Sequence, residues 1–154
     1  MSIKKLAGLA CALVFLTSAE AAPLPPSVKP ASVQIAEDSG GEIIQYLLNK
    51  VQFRESHTQL QFIGRCDSAC TLYLGLPPSQ LCLTQNAYFR FHLPIADNAH
   101  TVQDAARILL MKYPHWVRSW IKANHGLSTE LITMDYAYAS HFLKPCATEA
   151  KSAT

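Results

Sequence analysis

Between Leu60 and Leu74 the chain passes from one apolar run to another through a short polar step. Leu60-Gln61-Phe62-Ile63 has the length and composition of a buried strand, and Ala69-Cys70-Thr71-Leu72-Tyr73-Leu74 reads as the opening of a buried helix. Gly64-Arg65-Cys66-Asp67-Ser68 lies between them. A strand that turns directly into a buried helix is the repeating step of folds in which strands and helices alternate. Ser68 falls at the turn, where two readings are open. As an N-cap, its hydroxyl would accept a hydrogen bond from the first helical turn. As an exposed hydroxyl beside the partly positive N–H groups of a helix start, it would have the setting of a nucleophile next to an oxyanion site.

The same step recurs upstream. Ser32-Val33-Gln34-Ile35 alternates as a short strand. After Glu37-Asp38-Ser39-Gly40-Gly41, the run Glu42-Ile43-Ile44-Gln45-Tyr46-Leu47-Leu48 is apolar at helical spacing. Gly40 and Gly41 can make a tight turn, or can bring bare backbone N–H groups close to a ligand. Downstream, Gln59 to Ile63 is the strand leading to Ser68, and its helix ends near Gly75 ahead of Pro77-Pro78. Leu81-Cys82-Leu83 and Ala87 to His92 are further strands, with His92 at the end of the second. A helix starting at Thr101 or Asp104 runs to about Tyr113, and Pro114 opens the next, His115 to Asn124, capped by Gly126. Ser128 is expected to cap a third helical piece through Ile132. This order predicts a single α/β domain on a mainly parallel sheet. In such folds the turns at the carboxyl ends of strands converge. Ser39-Gly40-Gly41, Ser68 and His92 all follow apolar strands, so they could meet there as an oxyanion turn, a nucleophile and a base.

The first residues read as a targeting signal. Lys4 and Lys5 precede an apolar stretch, Leu6 to Leu16, and Ala19-Glu20-Ala21 has the form of a cleavage site. The stretch is too short to span a bilayer comfortably. Residues 1–21 are therefore expected to be a signal peptide, 22–31 a Pro-rich linker, 32–146 the folded domain and 147–154 a polar tail. Export to a periplasmic or secreted location follows. Cys11 belongs to the signal. Cys66, Cys70, Cys82 and Cys146 remain as disulfide candidates, with three possible connectivities. A Cys66–Cys70 bridge is disfavoured on the ground that so short a loop constrains little of the unfolded chain. A zinc site would have to recruit His92 to the cysteines, and no paired C-x-x-C knuckles are present, so no metal is expected.

The formal net charge is +2, with no basic cluster or stripe, which gives no indication of nucleic acid. No apolar run beyond the signal is long enough to span a membrane. His100, His115, His125 and His141 have no metal-like spacing with one another, and Trp116 and Trp120, at i and i+4, form a packing stripe.

The order of the candidate parts is Gly-Gly, then Ser, then His, with no G-x-S-x-G around Ser68. That order differs from the α/β-hydrolases, chymotrypsin and subtilisin. It resembles the proteolytic subunit of the Clp protease, within the Clp/crotonase superfamily. Ser39-Gly40-Gly41 is similar to that family's oxyanion turn, and Gly64-Arg65-Cys66-Asp67-Ser68-Ala69 to its nucleophile turn. The segment from Leu81 to Phe91-His92-Leu93-Pro94 is similar to its strand ending in the catalytic histidine, and the intervals agree to within a residue or two. More narrowly, Cys66-Asp67-Ser68-Ala69-Cys70-Thr71 followed by Phe89-Arg90-Phe91-His92 resembles small exported Clp-like proteins of bacteria.

The resemblance implies a stack of β-turn-α units, often assembled into rings, that hydrolyses peptides or small proteins without a cofactor. Ser68 would be the nucleophile and His92 the base. The N–H groups of Gly40 or Gly41 and of Ala69 would form the oxyanion hole. The family's third residue is an Asp, and matching forward from Gly126 puts its place at Ala139 or Ser140. The nearby acid is Asp135, about one helical turn early. A homo-oligomer, with Trp116 and Trp120 packing between subunits, is a further expectation. No ATPase partner is expected outside the cytoplasm. Two other readings stay open: a Clp-fold binding or assembly protein that has lost activity, and an acyl-CoA site of crotonase type, ranked last because such esters are not expected in an exported setting.

Overall fold

Residues 30–95 and 98–147 are described by the computed structural model. The expected signal peptide, linker residues 22–29 and tail residues 148–154 lie outside the described residues. Strand β1 (Ser32–Asp38) leads through the Gly40-Gly41 turn into helix α1 (Ile43–Glu55) and back to β2 (Gln59–Asp67). A 3-10 helix (Ser68–Gly75) follows, then β3 (Leu81–Leu83), β4 (Tyr88–Phe91), α2 (Ala99–Lys112) and α3 (His115–Ala123). The chain closes with β5 (Ile132–Met134), the single turn α4 (Tyr136–Ala139) and β6 (Lys144–Pro145).

The result is a mixed α/β domain on a curled, mostly parallel sheet. β2 is its centre. It pairs in parallel with β1 along its length, with β3 through residues 60–62 and with β4 through residues 65–67. β6 adds in parallel to β3, and β5 adds antiparallel to β4. Leu60 and Phe62 on β2, Leu81 and Leu83 on β3, and Phe89 and Phe91 on β4 are almost wholly buried. Phe62 and Phe89 meet edge to face with centroids 4.9 Å apart, an arrangement that satisfies the ring quadrupoles. The register of β1 on β2 shifts between Ile35 and Glu37. Gly64 makes that shift possible, since a Cβ there would lie 2.1 Å from the Ala36 carbonyl oxygen.

Three sequence expectations are corrected. The segment after Ser68 is a 3-10 helix rather than an α-helix. It is buried all along from Ala69 to Leu74, so no amphipathic stripe selects the α period, and Thr71 Oγ donates to the Ser68 carbonyl one tight turn back. Helix α2 is capped by Asn98, whose side chain accepts from Thr101 N, rather than beginning at Thr101 or Asp104. Residues 128–132 are not helical. Ile132 faces Phe91 and Met134 faces Phe89 in the β4–β5 pair, so sheet pairing overrides the local helical pattern.

The cysteines form Cys66–Cys70 and Cys82–Cys146. The first pairing corrects the expectation against it. A loop's small entropic gain does not decide whether a bridge can form. Geometry does, and leaving the strand at Ser68 brings the two Cα atoms to 5.4 Å. Trp116 and Trp120 pack inside the chain: Trp116 stacks on Phe142 at 4.7 Å, and Trp120 lies against Phe91 and Tyr138.

Candidate functional site

Ser68 follows the last pair of the β2–β4 ladder, Asp67 opposite Arg90. Its φ of 51° is in the left-handed region, which is rare for a residue with a Cβ. Strain of this kind is held in place only by surrounding structure and concentrates at functional turns. The Cys66–Cys70 disulfide brackets the turn. Behind it, Thr71 donates to the Ser68 carbonyl and shares a 2.6 Å hydrogen bond with the Tyr113 hydroxyl. Both partners are buried, and burial pushes the Tyr113 phenol up to about 12, so it remains a neutral hydroxyl.

The cap position of the 3-10 helix belongs to Asp67, not to Ser68, and the Asp67 side chain makes no capping bond. The Ser68 hydroxyl has no hydrogen-bond partner among the described residues. The capping role left open by the sequence is therefore not the one Ser68 plays.

The glycine turn lies directly against Ser68. Gly40 has φ +80°, and a Cβ built on it would fall 2.8 Å from the Ser68 Cβ and 3.0 Å from the Ala69 nitrogen. Only glycine allows both the backbone conformation and this approach. The two expected donors of the turn differ. Gly40 N–H is already committed to Asp38 Oδ1 at 2.8 Å, and the Tyr46 hydroxyl donates to the same oxygen at 2.6 Å. Burial, followed by this bond to a carboxylate, holds the Tyr46 phenol well above its usual range. Asp38 thus locks the turn, while Gly41 N–H has no acceptor among the described residues. Ala69 N–H, in the first turn of the 3-10 helix, lacks an intrahelical acceptor by position.

Ser39, Gly40, Gly41, Ser68 and His92 line one cleft of about 380 Å³. The start of α1 and Pro94-Ile95 complete its walls. His92 is half-buried at the end of β4, and its Nδ1 faces the Leu93 carbonyl oxygen. A carbonyl only accepts, so Nδ1 carries the proton and a neutral ring keeps its lone pair on Nε2. Leu93 is itself pinned, its N–H donating to the Ser128 carbonyl at 2.7 Å. Among the described residues no hydrogen bond joins Ser68 to His92, and catalytic hydrogen bonds often tighten only when substrate binds. A second, mostly apolar cleft of about 490 Å³ shares His92, Pro94 and Ile95 with the first and is also lined by Leu93 and Leu131.

Asp135 is not brought to this cleft. It is exposed and caps α4, its carboxylate accepting from Tyr138 N at 3.0 Å. It lies past Met134, which pairs with Phe89, and so belongs at the Tyr88 end of β4. That is about 13 Å of strand from His92 at roughly 3.3 Å per residue. Among the described residues no group of three or more metal-ligating side chains is assembled.

The sequence reading overlooked the ions beneath the site. Asp67 is 5% exposed, and Arg90 holds it with both forks, Nε to Oδ1 at 2.8 Å and an Nη to Oδ2 at 2.5 Å. The signal was available: an acid one residue before Ser68 and an arginine two before His92, on two strands whose ends were expected to converge.

No protein-family model matches the chain, and no curated protein matches it. Solved structures do resemble the fold. One, known only as the crystal structure of an enzyme, aligns with a TM-score of 0.52 at 9% identity over 76% of each chain. A peptidase from Plasmodium falciparum aligns at 0.49 and 8% identity over 79% of each, a likeness too distant to bear on activity.

Proposed function

We propose that the chain is an exported serine hydrolase of Clp-like type that cleaves peptides or small proteins with a Ser68–His92 dyad. The observation that carries this reading is Ser68 itself: a strained serine at a strand end, its hydroxyl uncommitted, sharing a cleft with a histidine and a free glycine N–H. Ser68 Oγ attacks the acyl carbon while His92 Nε2 takes its proton. Gly41 and Ala69 N–H groups receive the oxyanion, and Gly40 serves the turn rather than the charge. His92 returns the proton to the leaving amine, and water activated by the same nitrogen hydrolyses the acyl-enzyme. The Leu93 carbonyl, rather than a carboxylate, orients the ring. The two disulfides fit an oxidising compartment, and no described helix is long and apolar enough to cross a membrane.

A second reading has one observation in its favour. No carboxylate backs His92 among the described residues, and loss of the orienting Asp of a triad can cost about 10⁴ in kcat. That would suit a Clp-fold protein that binds peptide in the cleft without cutting it. Incubation of the oxidised protein with a mixture of unstructured peptides separates the two. Cleavage lost in Ser68→Ala and His92→Ala is expected; peptides retained but intact would favour the binding protein.

A further inference from the structure

The three turns that meet at the cleft leave three adjacent strands, and those strands are joined by charge just before they end. Glu37 on β1 pairs in register with Arg65 on β2, and Asp67 on β2 pairs in register with Arg90 on β4. Arg65 and Asp67, two apart, lie on the same side of β2, opposite the core-facing Leu60, Phe62 and Cys66. Arg65 Nε lies 2.8 Å from Glu37 Oε2, an ionic contact without hydrogen-bond alignment, and an Arg65 Nη lies 3.6 Å from Asp67 Oδ2. The signs alternate along the row. Its outer members are partly exposed, while the Asp67 side chain is 7% exposed.

The row is unequal in strength. Glu37 is 68% exposed, so its contact is screened and weak. The Asp67–Arg90 contact is bidentate, with a buried carboxylate and a partly exposed guanidinium, and its fork fixes angle as well as distance. It also sits where geometry matters. Asp67 is bonded to Ser68, and only Phe91 separates Arg90 from His92. Parallel pairing is otherwise thin here, because residues 65–67 and 88–90 are the whole of the β2–β4 ladder.

We propose that Asp67 and Arg90 are positioning residues, whose ion pair sets the separation of the Ser68 hydroxyl from the His92 ring across the β2–β4 junction. This rests on the hydrolase reading. Neither group touches the reacting atoms: the Asp67 carboxylate is spent on guanidinium, and the Arg90 guanidinium lies on that carboxylate and 5.9 Å from the Tyr88 ring centroid. Their effect passes along the backbone, one residue on from Asp67 to Ser68 and two residues on from Arg90 to His92, into the two side chains that react. A displacement of about 1 Å in such a pair can lower the rate by about 10²-fold without altering the cleft walls that bind the ligand.

The test uses the oxidised full chain and a fluorophosphonate, with the inactivation rate constant and the half-saturating probe concentration measured separately below the melting transition. Arg90→Gln is expected to lower the rate constant by about tenfold or more and to leave the half-saturating concentration within about twofold. Arg90→Lys keeps the charge but not the fork, and should fall between that variant and the wild type. If Arg90→Gln strands the buried carboxylate and fails to fold, the double variant Asp67→Asn/Arg90→Gln removes both charges and carries the same expectation. Leu81→Ala, a core change at the start of β3, lowers stability and should leave the rate constant of the folded protein unchanged. A folded Arg90→Gln or double variant that reacts at the wild-type rate, only melting earlier, would overturn the positioning role. A folded wild type that is never inactivated would instead overturn the hydrolase reading beneath it.

Discussion

At the scale of single residues, the candidate site gathers side chains and N–H groups relieved of structural duties. Ser68 is at the start of a helix but does not cap it, because Asp67 has taken that position. Gly40 gives its N–H to Asp38, while Gly41, which also lines the cleft, has no acceptor for its N–H among the described residues. Asp135 is the opposite case, a residue with a structural task that sequence matching had offered to the site. Its carboxylate caps α4. Asp135→Ala should therefore cost about 1 kcal/mol of stability, the usual worth of such a cap, and leave the rate of Ser68 modification unchanged. Denaturant titration and probe kinetics on one preparation check both halves. A loss of reactivity without a loss of stability would return Asp135 to the site.

At the scale of elements, α1 carries a buried cation that offers a pH signature. Lys50 is 7% exposed, with its Nζ 3.1 Å from the Lys112 carbonyl oxygen at the end of α2. Burial, and then the neighbouring charges of Arg54 and Lys112, lower its pKa from 10.5 to about 8. Between those values the unfolded chain binds a proton that the native one has released, so stability rises with pH across that window. The phenols of Tyr46 and Tyr113, held up by burial, act in the opposite sense above about pH 10, where unfolded tyrosines ionise first. Urea midpoints should climb between pH 8 and 10 in the wild type, and the climb should be absent in Lys50→Met. Much of this element order was legible beforehand: β1, α1, β3, β4 and α3 follow from apolar period and from Pro or Gly at their ends. The 3-10 helix and β5 were not. The first is shaped by Thr71 bonding back to Ser68, and the second by partners on β4, neither of which is a property of the local sequence. That Ser68, His92 and the glycine turn line one cleft was readable because each follows an apolar strand. The Asp67–Arg90 pair depends on register, which spacing hints at and only the sheet fixes.

At the scale of the whole molecule, the two disulfides have different work. Cys82–Cys146 ties the last strand to β3 across a sequence separation of 64, and Cys66–Cys70 spans 4. Chain-entropy scaling gives about 4 kcal/mol for the long loop and about 2 kcal/mol for the short one. Cys82→Ala/Cys146→Ala should thus depress the melting temperature more than Cys66→Ala/Cys70→Ala. The short-loop variant should be the one whose folded molecules react more slowly, since its bridge holds the turn at Ser68. Beneath all of these expectations lies one claim, that Ser68 is activated by His92. Intact-mass analysis after fluorophosphonate treatment of the oxidised protein, followed by peptide mapping, tests it most directly. A single adduct is expected on Ser68, within the disulfide-linked segment from Cys66 to Cys70, and none in His92→Ala. Folded protein with both bridges intact that stays unmodified at every pH and probe concentration, or that carries its adduct elsewhere, would contradict it.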